Sequence, residues 1–167
     1  MNVSEAIRNR RSIRKYVNYK MPSEDIYKIL EAGMMAPSAK NTRPWEFVVL
    51  ESDDAKNKAA EIHPFAKHLK DASIGILVCA NIENELVRQM GYYPQDCGAA
   101  IQNMLLESLE LGYGSCWCGL YPMQERVTDF KNEYSLGTIP VALVVIGKMD
   151  ERPSARGYYD ENKVKYL

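Results

Sequence analysis

Apolar and polar positions along this chain follow two periods, and the switches between them mark out its elements. Val3, Ala6 and Ile7 fall on one helical face behind Asn2 and Glu5, which have the spacing of a capping box. A short helix is therefore predicted at the start. After Pro22-Ser23, Ile26, Ile29, Leu30, Gly33 and Met34 recur at i, i+3, i+4, i+7 and i+8, predicting a second helix that ends before Pro37. Trp45 to Leu50 (WEFVVL) reads as a strand, and Ser52-Asp53-Asp54 offers caps for a polar helix reaching about Ile62. His63 to Asp71 shows neither period and is expected to be irregular.

Ser73 to Ala80 (SIGILVCA) is too apolar for a strand with one wet face, so it should lie centrally, buried on both sides. From Asp96 to Leu111, Cys97, Ala100, Ile101, Met104, Leu105, Ser108 and Leu109 make a broad helical stripe, with Gly112 placed to stop it. Gly114 to Gly119 predicts a short strand, Pro122 to Phe130 a short helix, and Pro140 to Gly147 (PVALVVIG) another apolar strand. Residues 148–167 have no helical period and too little apolar content for a core of their own. Such a tail is expected to cover a sheet edge or cross onto a partner subunit.

With 167 residues, 46% hydrophobic and 26% charged, the chain is expected to form one domain over 1–167. No apolar run approaches the ~20 residues needed to span a bilayer, and MNVSEAIRNRR lacks a signal-peptide core, so a cytoplasmic protein without membrane association is expected. The four cysteines are expected to be reduced thiols. Cys116-Trp117-Cys118 is the only close pair, and C-x-C without a second Cys or His pair is a poor zinc signature, so no metal is expected. A net charge of −1 argues against nucleic acid, which calls for a basic face.

Against that near-neutral charge, Arg10-Arg11-Ser12-Ile13-Arg14 stands out as a basic knot. Guanidinium forks and a hydroxyl suit phosphate oxygens, although a solvated basic turn at a helix C-terminus fits the same residues. Pro37-Ser38-Ala39-Lys40-Asn41-Thr42-Arg43-Pro44-Trp45 is a second candidate, a rigid loop whose Ser38, Asn41 and Arg43 donors suit the edge of a planar heterocycle.

Taken together, Arg-Arg-Ser-x-Arg and the later Pro-Ser-x-x-Asn-x-x-Pro-Trp resemble the nitroreductase family of flavin enzymes. The resemblance continues through Asp96 with Ala99 to Asn103, through Leu111 to Trp117, and through Val145-Ile146-Gly147. It implies an α+β fold, a mainly antiparallel sheet flanked by helices. It also implies a homodimer with an exchanged C-terminal extension over 148–167, holding FMN at the subunit interface. Arg10, Arg11, Ser12 and Arg14 would hold phosphate, ribityl chain and pyrimidine edge, with Arg14 beside N1 and C2=O. Pro37, Ser38, Ala39 and Asn41 would reach the flavin from the other subunit, and Arg156 and Lys148 would be further phosphate ligands. Near flavin N5 the resemblance points to the backbone amide of Cys118 or Gly119, with Trp117 adjacent. Some relatives carry glutamate at the position of Cys118, and many have Asn-x-Gln-Pro-Trp where this chain has Arg43.

The implied activity is hydride transfer from NADH or NADPH to a small electron-poor acceptor such as a nitroaromatic or quinone, in ping-pong fashion. Reductive dehalogenation, flavin reduction or a non-catalytic flavin-binding dimer are the alternatives. No catalytic side chain is expected, since the cofactor carries the chemistry. Other residues fit blander roles. His63 and His68 are off the i, i+4 spacing of helix-borne ligands and are expected at the surface. Ser12, Ser38 and Ser115 have no histidine partner in view, and Gly112-x-Gly114 lacks the third glycine of a dinucleotide fingerprint. Tyr92-Tyr93 and Tyr158-Tyr159 suit packing, with walls of a dimer pocket as the alternative.

Overall fold

The computed structural model describes residues 1–167 and carries a five-stranded sheet with helices on both faces. The strands are β1 (Tyr16–Val17), β2 (Trp45–Leu50), β3 (Ile74–Ala80), β4 (Gly114–Gly119) and β5 (Ile139–Met149). The α-helices are α1 (Val3–Asn9), α2 (Ser23–Met34), α3 (Asp53–Ile62), α4 (Glu85–Met90), α5 (Tyr93–Glu110) and α6 (Gln124–Glu133). Every strand pair is antiparallel: β2 with β3, β3 with β5, β4 with β5 and β1 with β5. The α+β expectation is met.

The two faces of the sheet are written in the alternation of β3 and β5. Ile74, Ile76, Val78, Ala142, Val144 and Ile146 pack against Ile26 and Ile29 of α2 and against Ile101 and Met104 of α5. Leu77, Cys79, Leu143 and Val145 point the other way, toward Ala59 and Ala60 of α3 and Phe130 of α6. Both central strands are therefore sandwiched, which explains their near-continuous apolar sequence. Each such fully buried side chain contributes roughly 1.5–3 kcal/mol of transfer free energy. Gly147 is required where β5 meets the turn before β3, because a Cβ there would lie 2.9 Å from the backbone nitrogen of Ser73.

Local signals match the boundaries closely. Asn2 and Glu5 form the capping box of α1, Ser52 caps α3, and Gly112 takes φ +82° just past α5. Pro94 sits in the first turn of α5, which begins at Tyr93, ahead of Asp96, as suits a residue without an N–H. Three regions depart from expectation. His63 to Asp71 is not irregular throughout, because Lys67–Asp71 winds a 3-10 turn that seats Leu69 in the core. Of the apolar face of α1 only Ala6 is buried, while Val3 and Ile7 face solvent. The tail begins at Asp150, because Lys148 and Met149 still belong to β5 and pair with β1. Residues 150–160 then run without helix or strand, with a short 3-10 turn at Glu161–Lys163. No helix is long and apolar enough to cross a membrane.

Candidate functional site

The arginine knot leaves the end of α1 and is pinned to the sheet from two directions. The Ile13 amide donates to the Ser115 carbonyl at 3.0 Å, and Ser12 bridges Ser115 on the outer edge of β4. The Glu151 carboxylate accepts the backbone amides of Arg14 at 2.6 Å and Lys15 at 3.2 Å. Glu151 thus spends its charge on backbone and leaves the guanidinium groups free. Every side-chain ion pair in the molecule uses a lysine, and no arginine has a carboxylate partner. Arg11 goes further: its Nε is buried and has no hydrogen-bond partner at all. A buried donor left unpaired costs roughly 1–3 kcal/mol, so this one is built for an acceptor the chain alone does not supply.

Two cavities open around these side chains. One of about 390 Å³ is lined by Arg10, Arg11, Tyr113, Ser115, Glu151 and Arg152 among others. The second, about 480 Å³, is lined by Arg8, Arg10, Arg11 and the tail residues Ala155, Gly157, Tyr158 and Tyr159. Arg10 and Arg11 therefore form the wall shared by both. Arg14 is exposed and lines neither, and Arg156 lies between two lining residues without lining the cavity itself. Lys148 is directed elsewhere. Its ammonium sits 5.9 Å and 6.0 Å from the ring centres of Tyr19 and Tyr113, whose hydroxyl donates to Asp25 at 2.6 Å.

The second candidate segment is a strained loop. Lys40, Asn41 and Arg43 adopt φ values of 52°, 54° and 48°, in the left-handed region that side chains other than glycine visit at a cost of order 1–3 kcal/mol each. Three such residues within four positions persist only because the surroundings hold them. The Ala39 amide donates to buried Asp96 Oδ1 at 2.9 Å, and the Arg43 amide donates to Ser38 Oγ at 2.9 Å. Arg43 Nε donates to Asn41 Oδ1 at 3.0 Å, so this guanidinium fixes the loop's own amide side chain. None of residues 37–43 lines either arginine cavity. We expect Asp96→Ala to cost roughly 1.5–3 kcal/mol, the value of a hydrogen bond to a charged acceptor, and to abolish exchange protection at the Ala39 amide. Hydrogen exchange checks this, and undiminished protection at Ala39 would count against it.

On β4, edge-strand alternation decides what faces outward. Ser115 directs its carbonyl to Ile13 on the outer edge, whereas the Leu120 amide donates to Val141 of β5 at 3.1 Å. The amides of Trp117 and Gly119 therefore share the open edge with Ser115, and that of Cys118 faces β5. The Trp117 indole lies against Gly98 of α5, half exposed, while the Cys118 side chain is buried on the opposite face.

His63 corrects the expectation of a surface residue: it is 1% exposed beneath this edge. Its Nδ1 accepts from the Phe65 amide at 3.1 Å, which leaves Nε2 as donor to the Gly119 carbonyl, also 3.1 Å away. Burial pushes its pKa below the ordinary 6.5, opposed by the bond to Gly119. The unfolded chain then takes up a proton as pH falls below 6.5 while the folded chain resists it. Stability from this group is full above pH 6.5 and is lost as pH falls through the depressed folded value. A melting midpoint that declines below pH 6.5 in the parent and more shallowly in His63→Gln is expected; parallel profiles would contradict this. No sequence period marks His63, and its burial comes from packing against Phe130.

The molecule is thus an antiparallel α+β sheet with arginines lacking carboxylate partners gathered at one edge. Comparison with known proteins specifies the class. The sequence model of the Nitroreductase family matches residues 7–73 and 63–148. A Methanothermobacter thermautotrophicus protein provisionally named NADH dehydrogenase/NAD(P)H nitroreductase is 39% identical over 166 residues, covering 98% of this chain and 86% of its own. A similarly named crystal structure from Parabacteroides distasonis superposes with a TM-score of 0.90 at 32% identity, covering 98% of this chain and 96% of the other. A nitroreductase-type structure from Desulfovibrio desulfuricans, in complex with FMN, gives a TM-score of 0.83 at 28% identity, covering 100% and 97%. The chain belongs to the nitroreductase family.

Proposed function

We propose that this chain binds FMN at the Arg10-Arg11 wall, as a homodimer, and carries hydride from NADH or NADPH to a small electron-poor acceptor such as a nitroaromatic or quinone. The carrying observation is the set of unpaired arginines, above all the buried and partnerless Nε of Arg11. These donors fit a phosphate, because planar guanidinium forks bind its oxygens in pairs; Ser12, which follows them and lines neither cavity, is proposed as a further ligand. Arg156, between two tail residues that line the second cavity, is proposed as a further phosphate ligand, and Arg14 as a donor for the pyrimidine edge.

When bound, FMN supplies a ring that accepts a hydride from one substrate and releases it to the next, which gives a ping-pong order through one pocket. The chain's own part is to hold and orient. Gly119 offers a free edge amide as the donor for a ring nitrogen, fixed from behind by His63 and by Arg126 Nη1 on its carbonyl at 3.2 Å. Trp117 supplies an apolar wall on the same edge. The strained loop of Pro37, Ser38, Ala39 and Asn41 lines neither arginine cavity of its own chain, and its donors are proposed to serve the site of the second subunit. Val3 and Ile7 on α1, with Met35 beside α2, leave an exposed apolar surface for that subunit to cover.

The test is anaerobic addition of NADH or NADPH to the purified, FMN-loaded protein. Loss of the visible flavin absorbance, restored by a nitroaromatic or quinone, is the predicted result. Absorbance that persists with both donors would overturn the reductase reading.

A further inference from the structure

The Cys116-Trp117-Cys118 motif acquires a third member in the fold. Strand side chains alternate with period two, so β4 sends Cys116 and Cys118 to one face, away from Trp117, into the core beside Phe130, Leu143 and Val145. The 3-10 turn at Lys67–Asp71 delivers His68 to the same place from far upstream in sequence. A ring nitrogen of His68 and the two sulfur atoms all lie within 4.8 Å of one another. Cys116 is 2% exposed and Cys118 6%. His68 Nε2 is itself fully buried with no hydrogen-bond partner. The Tyr16 ring stacks 6.2 Å from the imidazole at 27°, which holds it in orientation.

The structure assigns His68, Cys116 and Cys118 as a three-ligand site for a thiophilic closed-shell cation, Cu⁺ or Zn²⁺. Two thiolates and one imidazole are the donor set these ions prefer, and distances of about 2.3 Å to sulfur and 2.0 Å to nitrogen require only that the three atoms draw together. On binding, each thiol releases its proton to solvent and two S–metal bonds form, with no change in oxidation state. With no fourth side chain in the cluster, a trigonal ion such as Cu⁺ needs nothing more. Zn²⁺ would complete its shell with a water. The motif looked poor in the sequence because its third ligand is supplied by tertiary structure alone.

The test uses the reduced, FMN-loaded protein incubated anaerobically with Cu⁺ or with Zn²⁺, then desalted against a weak chelator and measured for metal by mass spectrometry. About one ion per chain should be retained in at least one arm. Cys116→Ser with Cys118→Ser should reduce retention to background, whereas Cys79→Ala with Cys97→Ala should leave it intact. His68→Gln should weaken binding by more than the roughly 10–100-fold that loss of an outer-shell partner costs, and decides the matter if the double serine variant does not fold. Retention in the copper arm alone identifies the trigonal ion, and retention of zinc identifies the water-completed one. Failure to retain either ion, or retention unchanged in the double serine and His68→Gln variants, would overturn the assignment. The measurement is independent of turnover, so it stands apart from the proposed reductase activity.

Discussion

Replacing Arg10 and Arg11 together with alanine is expected to weaken FMN binding by about two to four orders of magnitude. Each guanidinium contributes a charge-assisted bond worth roughly 1.5–3 kcal/mol, and 1.4 kcal/mol is tenfold in affinity. The fold should survive the change. Neither side chain is in an ion pair, and removing Arg11 also removes an unpaired buried donor, so the cost to folding of losing its packing is partly offset. Far-ultraviolet circular dichroism and a flavin-fluorescence titration check the two halves of the expectation. Unchanged affinity would show that the arginine wall is not the phosphate site.

The second large effect is expected from truncation after Arg152. Glu151 is retained in this variant, so the amides of Arg14 and Lys15 keep their carboxylate cap. What is lost is a segment that gives its own chain little. Tyr158 and Tyr159 are 81% and 74% exposed, and none of residues 153–167 belongs to either hydrophobic core. The single chain should therefore fold with nearly its original melting midpoint. The same segment walls the second arginine cavity, and its two tyrosines have the exposure of side chains that find their cover on another molecule. Sedimentation should show the truncated protein as a monomer that no longer retains FMN. A truncated protein that stays dimeric and yellow would remove the tail from both roles.

The long elements were legible because each is a record of burial. SIGILVCA and PVALVVIG are continuous apolar runs because β3 and β5 are covered on both faces, and the stripe from Cys97 to Ser108 lies on the side of α5 that meets the sheet. α4 went unseen for the converse reason: Val87 is its one buried residue, and its Asn84 and Gly91 caps bracket a segment without a period. β1 is two residues long, too short for any alternation to register.

The site divides in the same way. Arginines without acidic neighbours are conspicuous in a chain of net charge −1, so the knot could be read directly. Strain at Lys40, Asn41 and Arg43 could not, because these residues carry none of the glycine that normally announces a left-handed backbone. His63 and His68 were placed at the surface because a polar stretch with no period looks solvated. One lies under Gly119 and the other beside two thiols, positions set by chain segments distant in sequence.

Those two thiols also behave as a unit. The neighbouring Cys118 sulfur, with His68 and the charge of Arg14, pulls the Cys116 thiol below its ordinary range against the opposing effect of burial. The remaining proton is correspondingly harder to remove, so Cys118 is shifted upward.

The proposed arrangement sets FMN on the arginine wall and completes its site with a second chain. Size-exclusion chromatography of the FMN-reconstituted protein, with light scattering and flavin absorbance recorded together, tests it most directly. A single dimeric species carrying about one FMN per chain is expected, consistent with a site lined from both subunits. A colourless protein that cannot be reconstituted, or a monomer that carries FMN stoichiometrically, would contradict it.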